Sequence, residues 1–108
     1  MGTRQLDFTG QSGAVYRYMP LEEDRVSPMG GNYLYVRLAG AHVTVVYAGE
    51  TENLYKGHRD RWEEAKSAFG ATHVFTRLNV SGAVRRAEKA DVVQQYVPPM
   101  NKGEVPAD

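Results

Sequence analysis

Tyr33-Leu34-Tyr35-Val36-Arg37-Leu38 and Val43-Thr44-Val45-Val46-Tyr47 are the two stretches on which the fold turns. The first alternates in strand fashion. The second is denser in β-branched residues, as a more central strand is. Ala39-Gly40-Ala41-His42 between them is a link of hairpin size and predicts antiparallel pairing. Downstream, Thr51 can cap a helix whose Leu54, His58, Trp62, Ala65 and Phe69 lie near one stripe. Gly57 predicts a break between a first turn and a main helix from about residue 58, and Gly70 is a helix terminator. Residues 72–78 read as a third strand of the same sheet. Ser81 can cap a last helix to about Tyr96, with Val84, Ala87, Val92 and Tyr96 on its apolar side, and Pro98-Pro99 stops it.

Upstream, the two glycines of Phe8 to Gly13 signal a turn, and Ala14 to Met19 form a strand that Pro20 ends. Residues 20–30 read as an exposed connector and the tail from Lys102 as flexible. The predicted order is β-β-β-α-β-α: an α/β (α+β) fold with a small mixed sheet flanked by helices. Residues 1–30 form an N-terminal strand and connector, 31–101 the main domain, and 102–108 the tail.

The chain has 108 residues, room for one domain at roughly 100–200 residues each. Thirteen Lys+Arg against thirteen Asp+Glu give zero net charge, so no global field draws in nucleic acid. With no cysteine, thiol catalysis and thiolate zinc sites are excluded. No apolar run has the length of a signal peptide or of the roughly 20 residues that span a bilayer, which predicts a cytoplasmic protein with no membrane partner. P-loop, dinucleotide-binding, nucleophile-elbow and zinc-helix motifs are all lacking.

Gly31-Asn32-Tyr33 opens one strand and Tyr47-Ala48-Gly49 lies at the end of the next. A helix, a strand and a second helix with Ala90-Asp91-Val92-Val93 follow, then Pro98-Pro99-Met100-Asn101. In this order the chain resembles the GIY-YIG nuclease domain, with Gly31-Asn32-Tyr33 standing for Gly-Ile-Tyr and Tyr47-Ala48-Gly49 for Tyr-Ile-Gly. Gly49-Glu50-Thr51 and the Pro-Pro-x-Asn ending are similar to small stand-alone bacterial members. The resemblance covers residues 31–101. It implies a β-β-α-β-α core in which two tyrosines orient or deprotonate the nucleophile. It further implies an arginine on the first helix that clamps the phosphate, and one glutamate on a later helix that holds Mg²⁺.

Two of those positions depart from the family. Gly57 stands where the arginine is expected and offers no donor fork. Lys89 stands where the glutamate is expected and cannot bind a metal while protonated. Lys56 and Arg59 flank the first position, but two residues along a helix turn a side chain by about 200°. Glu88 flanks the second, about 100° away. An arginine at position 57 is expected to be tolerated, as the better helix former.

The resemblance therefore implies a fold kept and a machinery lost: a non-catalytic module for nucleic acid, by family analogy DNA, or for protein, with no cofactor. Tyr33, Tyr47 and Arg59 are its candidate catalytic-site residues, and Gly49, Lys56, Arg85, Lys89 and Asn101 its candidate binding residues. The alternative is a Mg²⁺-dependent endonuclease that uses Glu88 and Arg59 as shifted catalytic residues. Read without the family, Tyr33, Tyr35 and Tyr47 are a cross-strand aromatic cluster. Glu63-Glu64 among Arg59, Arg61 and Lys66 is a solvated helix face, as is the basic face of Arg85, Arg86 and Lys89. His42, His58 and His73 are too scattered for a metal site.

Overall fold

The computed structural model describes residues 4–104. Five strands, β1 (Leu6–Thr9), β2 (Val15–Pro20), β3 (Gly31–Ala39), β4 (His42–Thr51) and β5 (His73–Leu78), form one sheet in the order β1-β2-β5-β3-β4. Three helices, α1 (Leu54–Gly57), α2 (Trp62–Phe69) and α3 (Gly82–Tyr96), pack on it, with a 3-10 turn at Glu23–Arg25 and another at Pro99–Glu104. Among the described residues no helix is long and apolar enough to cross a membrane.

Every strand pair is antiparallel, which corrects the expectation of a mixed sheet. The α1–α2 crossover brings β5 back against β3 in the opposite direction, so no parallel pair arises. The single N-terminal strand becomes a hairpin, because Leu6-Asp7-Phe8-Thr9 pairs with Val15 to Tyr18 around a turn closed by Gly10 N–H to Ala14 O at 2.8 Å. Leu21, Val26 and Ser27 of the predicted connector are part-buried, with Leu21 and Val26 packed on the core. Of the predicted flexible tail, Lys102 to Glu104 belong to the 3-10 turn at Pro99–Glu104, and residues 105–108 lie outside the described region.

The sheet curls, and its two faces carry separate cores. Phe8 on β1 and Val45 on β4, from opposite edges, join Leu34, Val36, Phe75, Val92 and Val93 in the core that α3 covers. The other face buries Tyr33, Tyr35, Tyr47 and Val74 under Leu54 of α1, Trp62 and Ala65 of α2, and Met100. Plain alternation would put Val45 and Tyr47 on one face. A bulge intervenes: Tyr35 opposes Tyr47 but Val36 opposes Val45, which leaves Val46 unpaired and sends Val46 and Tyr47 to the second face.

The break predicted at Gly57 is present, but the main helix starts at Trp62 and not near residue 58. Asn53, not Thr51, caps α1 by accepting from Lys56 N–H at 3.1 Å, and α2 begins only after Arg61 turns left-handed (φ 65°). Gly70 ends α2 with φ 72°, and Ser81 caps α3 as expected. On α3 the inward residues are Arg85, Val92 and Val93. Val84 is 45% and Tyr96 37% exposed, Tyr96 because its hydroxyl accepts from Thr9 N–H at the β1 edge.

Asp91 docks the hairpin on α3. Its carboxylate accepts from Ser12 N–H (2.8 Å), Ser12 Oγ (2.7 Å) and Tyr16 Oη (2.6 Å). The bond from the Ser12 hydroxyl, then that from Tyr16, holds this carboxyl below its usual range. A lowered folded-state pKa contributes stability that is present above the unfolded value and lost as pH falls through the folded one. Thermal melts at about pH 5 and pH 3, either side of the ordinary aspartate pKa, should show a larger loss for the wild type than for Asp91→Asn. Equal losses would remove Asp91 from the acid response.

Candidate functional site

Tyr33 and Tyr35, two residues apart on β3, point to the same face, and Tyr47 faces them from β4. Ring centroids lie 5.5 Å apart for Tyr33–Tyr35, 6.0 Å for Tyr33–Tyr47 and 5.4 Å for Tyr35–Tyr47. Trp62 closes the group edge-on to Tyr35 at 5.1 Å. Such pairs are each worth about 0.5–1.5 kcal/mol beyond their buried area. The tyrosines are thus side by side on one surface, and that surface is core: Tyr33 is 3% and Tyr47 7% exposed.

Gly49 opposes Tyr33 across the ladder, and the Tyr33 ring occupies the place where a Cβ would be. The glycine therefore makes room for the ring. It stays within β4 and forms no turn.

Burial, then Tyr47, Tyr35 and Asp60 in turn, push the Tyr33 hydroxyl far up from its ordinary value. Tyr35 is raised chiefly by burial and next by Asp60, and its hydroxyl donates to His58 O (2.9 Å) and to Asp60 O. A hydroxyl held protonated in this way is no general base near neutrality. One arginine does reach the cluster. Arg61 lies 5.3 Å from the Tyr47 ring centroid, donates to Met100 O at 3.2 Å, and forks onto Glu64 at 3.1 Å from both Nε and Nη2.

Arg61, read from the sequence as part of a solvated helix face, and Asp60, not singled out there, both touch the cluster. The readable signal was only their place just ahead of the stripe residue Trp62. The left-handed backbone at Arg61 brings its guanidinium back over Tyr47, and no helical register foresees that turn.

The other candidates do not join the tyrosines. Arg59 is ion-paired to Glu23, and Lys56 is exposed on α1. Gly57 backs onto Thr51: a Cβ there would lie 2.5 Å from its Oγ1 and 2.8 Å from its Cβ. Glu88, 13% exposed, accepts from Arg77 Nε at 2.9 Å beneath α3. Lys89 holds Glu104 at 2.8 Å, and no tyrosine lines the cavity it borders.

Arg85, read as part of a solvated basic face, is buried. Its guanidinium donates to Glu50 (2.9 Å), Asn79 O (3.2 Å) and Val80 O (2.7 Å), because residue 85 faces the sheet one turn into α3. Asn101 is fully buried and acts as one more strand residue. Its Oδ1 accepts from Ala48 N–H at 2.8 Å and its Nδ2 donates to Ala48 O at 3.0 Å, closing the β4 edge.

The donors do not fit the Mg²⁺ that the resemblance implies. The candidate carboxylate Glu88 is engaged by Arg77, and the next residue on α3 is the Lys89 cation. His58 is buried with Nδ1 2.8 Å from Leu54 O, while His42 opens β4 and His73 opens β5.

Fold and site together define a small α+β domain: an antiparallel sheet with one aromatic core and one aliphatic-rich core. The chain matches no family model, no curated protein and no solved structure among those compared with it.

Proposed function

We propose that this chain is a GIY-YIG-like domain without phosphodiester chemistry, working in the cytoplasm as a non-catalytic interaction module. One observation carries the reading. The two positions where the resemblance places a clamp and a metal ligand hold neither: Gly57 packs against Thr51, and Lys89 is a cation paired with Glu104. The burial of Tyr33 and Tyr47, with the Tyr33 hydroxyl pushed up by that burial, agrees with it. Charge placement favours a protein partner over nucleic acid, since among the described residues eight of the thirteen Lys and Arg are ion-paired within the chain. Phosphate binding draws on cations free to displace counterions.

The endonuclease alternative requires Glu88 to leave Arg77 and Arg59 to leave Glu23. Supercoiled-plasmid nicking by the purified chain with Mg²⁺ separates the two. The expected result is no nicking above a buffer control, with duplex-DNA binding that is weak and shallow in its salt dependence. Mg²⁺-dependent nicking that Glu88→Ala abolishes would replace the module with an enzyme.

A further inference from the structure

A cavity of about 310 Å³ lies between α3, the end of β4 and the C-terminal turn. Its polar rim is Arg86, Lys89, Gln94 and Glu104, and Ala90 and Val93 give it an apolar floor. Glu50 also borders it, but its carboxylate is engaged by Arg85. Arg86 makes no ion pair or hydrogen bond with any described residue. Lys89, one helical turn on, is held among the described residues by Glu104 alone, in a pair 24% and 41% exposed. Exposed pairs of this kind exchange partners at little cost. The cavity thus offers one uncommitted guanidinium, one ammonium on an exchangeable partner, a carboxamide and an apolar floor, at the small end of ligand-site volumes.

We propose that this cavity binds a small oxyanion, a carboxylate or phosphate group on a compact apolar body, with Arg86 and Lys89 as its ligands and Glu104 as the group it displaces. Arg86 supplies the planar fork that matches either oxyanion. Displacement has a consequence at the sheet edge. The other Glu104 oxygen accepts from Asn101 Nδ2 at 2.7 Å, and Asn101 is the residue paired with Ala48. An anion that takes Lys89 from Glu104 therefore loosens the strap over β4. This holds independently of the nuclease resemblance, since it rests on α3 and the C-terminal turn alone.

Titration of the full chain with inorganic phosphate, acetate and benzoate at constant ionic strength, followed by amide NMR, tests it. Saturable shifts at Arg86, Lys89, the Gln94 side chain and Glu104 are expected. Benzoate binding more tightly than acetate identifies a carboxylate with an apolar body, and phosphate alone identifies the phosphate source. Arg86→Gln, an exposed change, should weaken binding about tenfold, the worth of one hydrogen bond to a charged group. Glu104→Gln should tighten it and speed exchange of the Ala48 amide. No saturable shift with any of the three anions, or shifts that Arg86→Gln leaves unaltered, would overturn the proposal.

Discussion

Arg85→Ala is expected to lower the unfolding free energy by about 3 kcal/mol or more, since breaking a buried ion pair leaves its partner uncompensated. The Arg85 side chain is 9% exposed and Glu50 24%. The same guanidinium holds the carbonyls of Asn79 and Val80, so its removal strands two acceptors as well as a charge. The Arg85 carbonyl also accepts from Asn32 Nδ2, which ties the start of β3 to α3. Arg17→Ala is the control. Its pair with Asp7 is 60% and 46% exposed, and such pairs are worth about 0–1 kcal/mol. Urea midpoints should separate the two variants clearly. Arg85→Met with Glu50→Gln should recover much of the loss, because no uncompensated charge remains. Equal midpoints for Arg85→Ala and Arg17→Ala would return Arg85 to the solvated face that its neighbours in sequence suggested.

Gly57→Arg is expected to destabilise by about 1–3 kcal/mol, the usual cost of forcing atoms into a packed site. This corrects the reading that arginine would be tolerated there. Helix propensity favours arginine by something under 1 kcal/mol, but the new Cβ meets Thr51, a side chain that cannot swing away freely. Thr51 Oγ1 accepts from Asn53 N–H at 3.2 Å, and Asn53 is the cap of α1. Gly57→Ala should show most of the same loss, and Thr51→Ala should recover part of it. Thermal melts decide the matter: Gly57→Arg melting at or above the wild type would mean that the clamp position is open.

Much of this was legible because it was local. The strands at residues 33–38 and 43–47, the Ser81 cap and the Gly70 terminator follow from pattern and turn chemistry, and the structure contains them. β1 was missed because four residues ahead of two glycines carry too little periodicity to outweigh a turn signal. The pairing of Tyr35 with Tyr47 depends on the bulge at Val46, which only the register of two strands reveals. The charged residues were the least legible. Arg85 and Arg86 look alike in sequence, yet one faces the sheet and the other solvent. Asn101 was visible as part of an ending, but its pairing with Ala48, 53 residues away, is set by tertiary contact alone.

The measurement that bears most directly on a domain with a glycine at the clamp position and a lysine at the metal-ligand position is a Mg²⁺ titration of the wild-type chain, followed by NMR and calorimetry. At millimolar Mg²⁺ the resonances of Tyr33, Tyr47, Glu88 and Lys89 should show no saturable shift, and the heat should match dilution. The Lys89 ammonium repels a divalent cation, and Glu88 is engaged by Arg77. A saturable shift at those residues that Glu88→Ala abolishes would contradict it and place a metal centre on this fold.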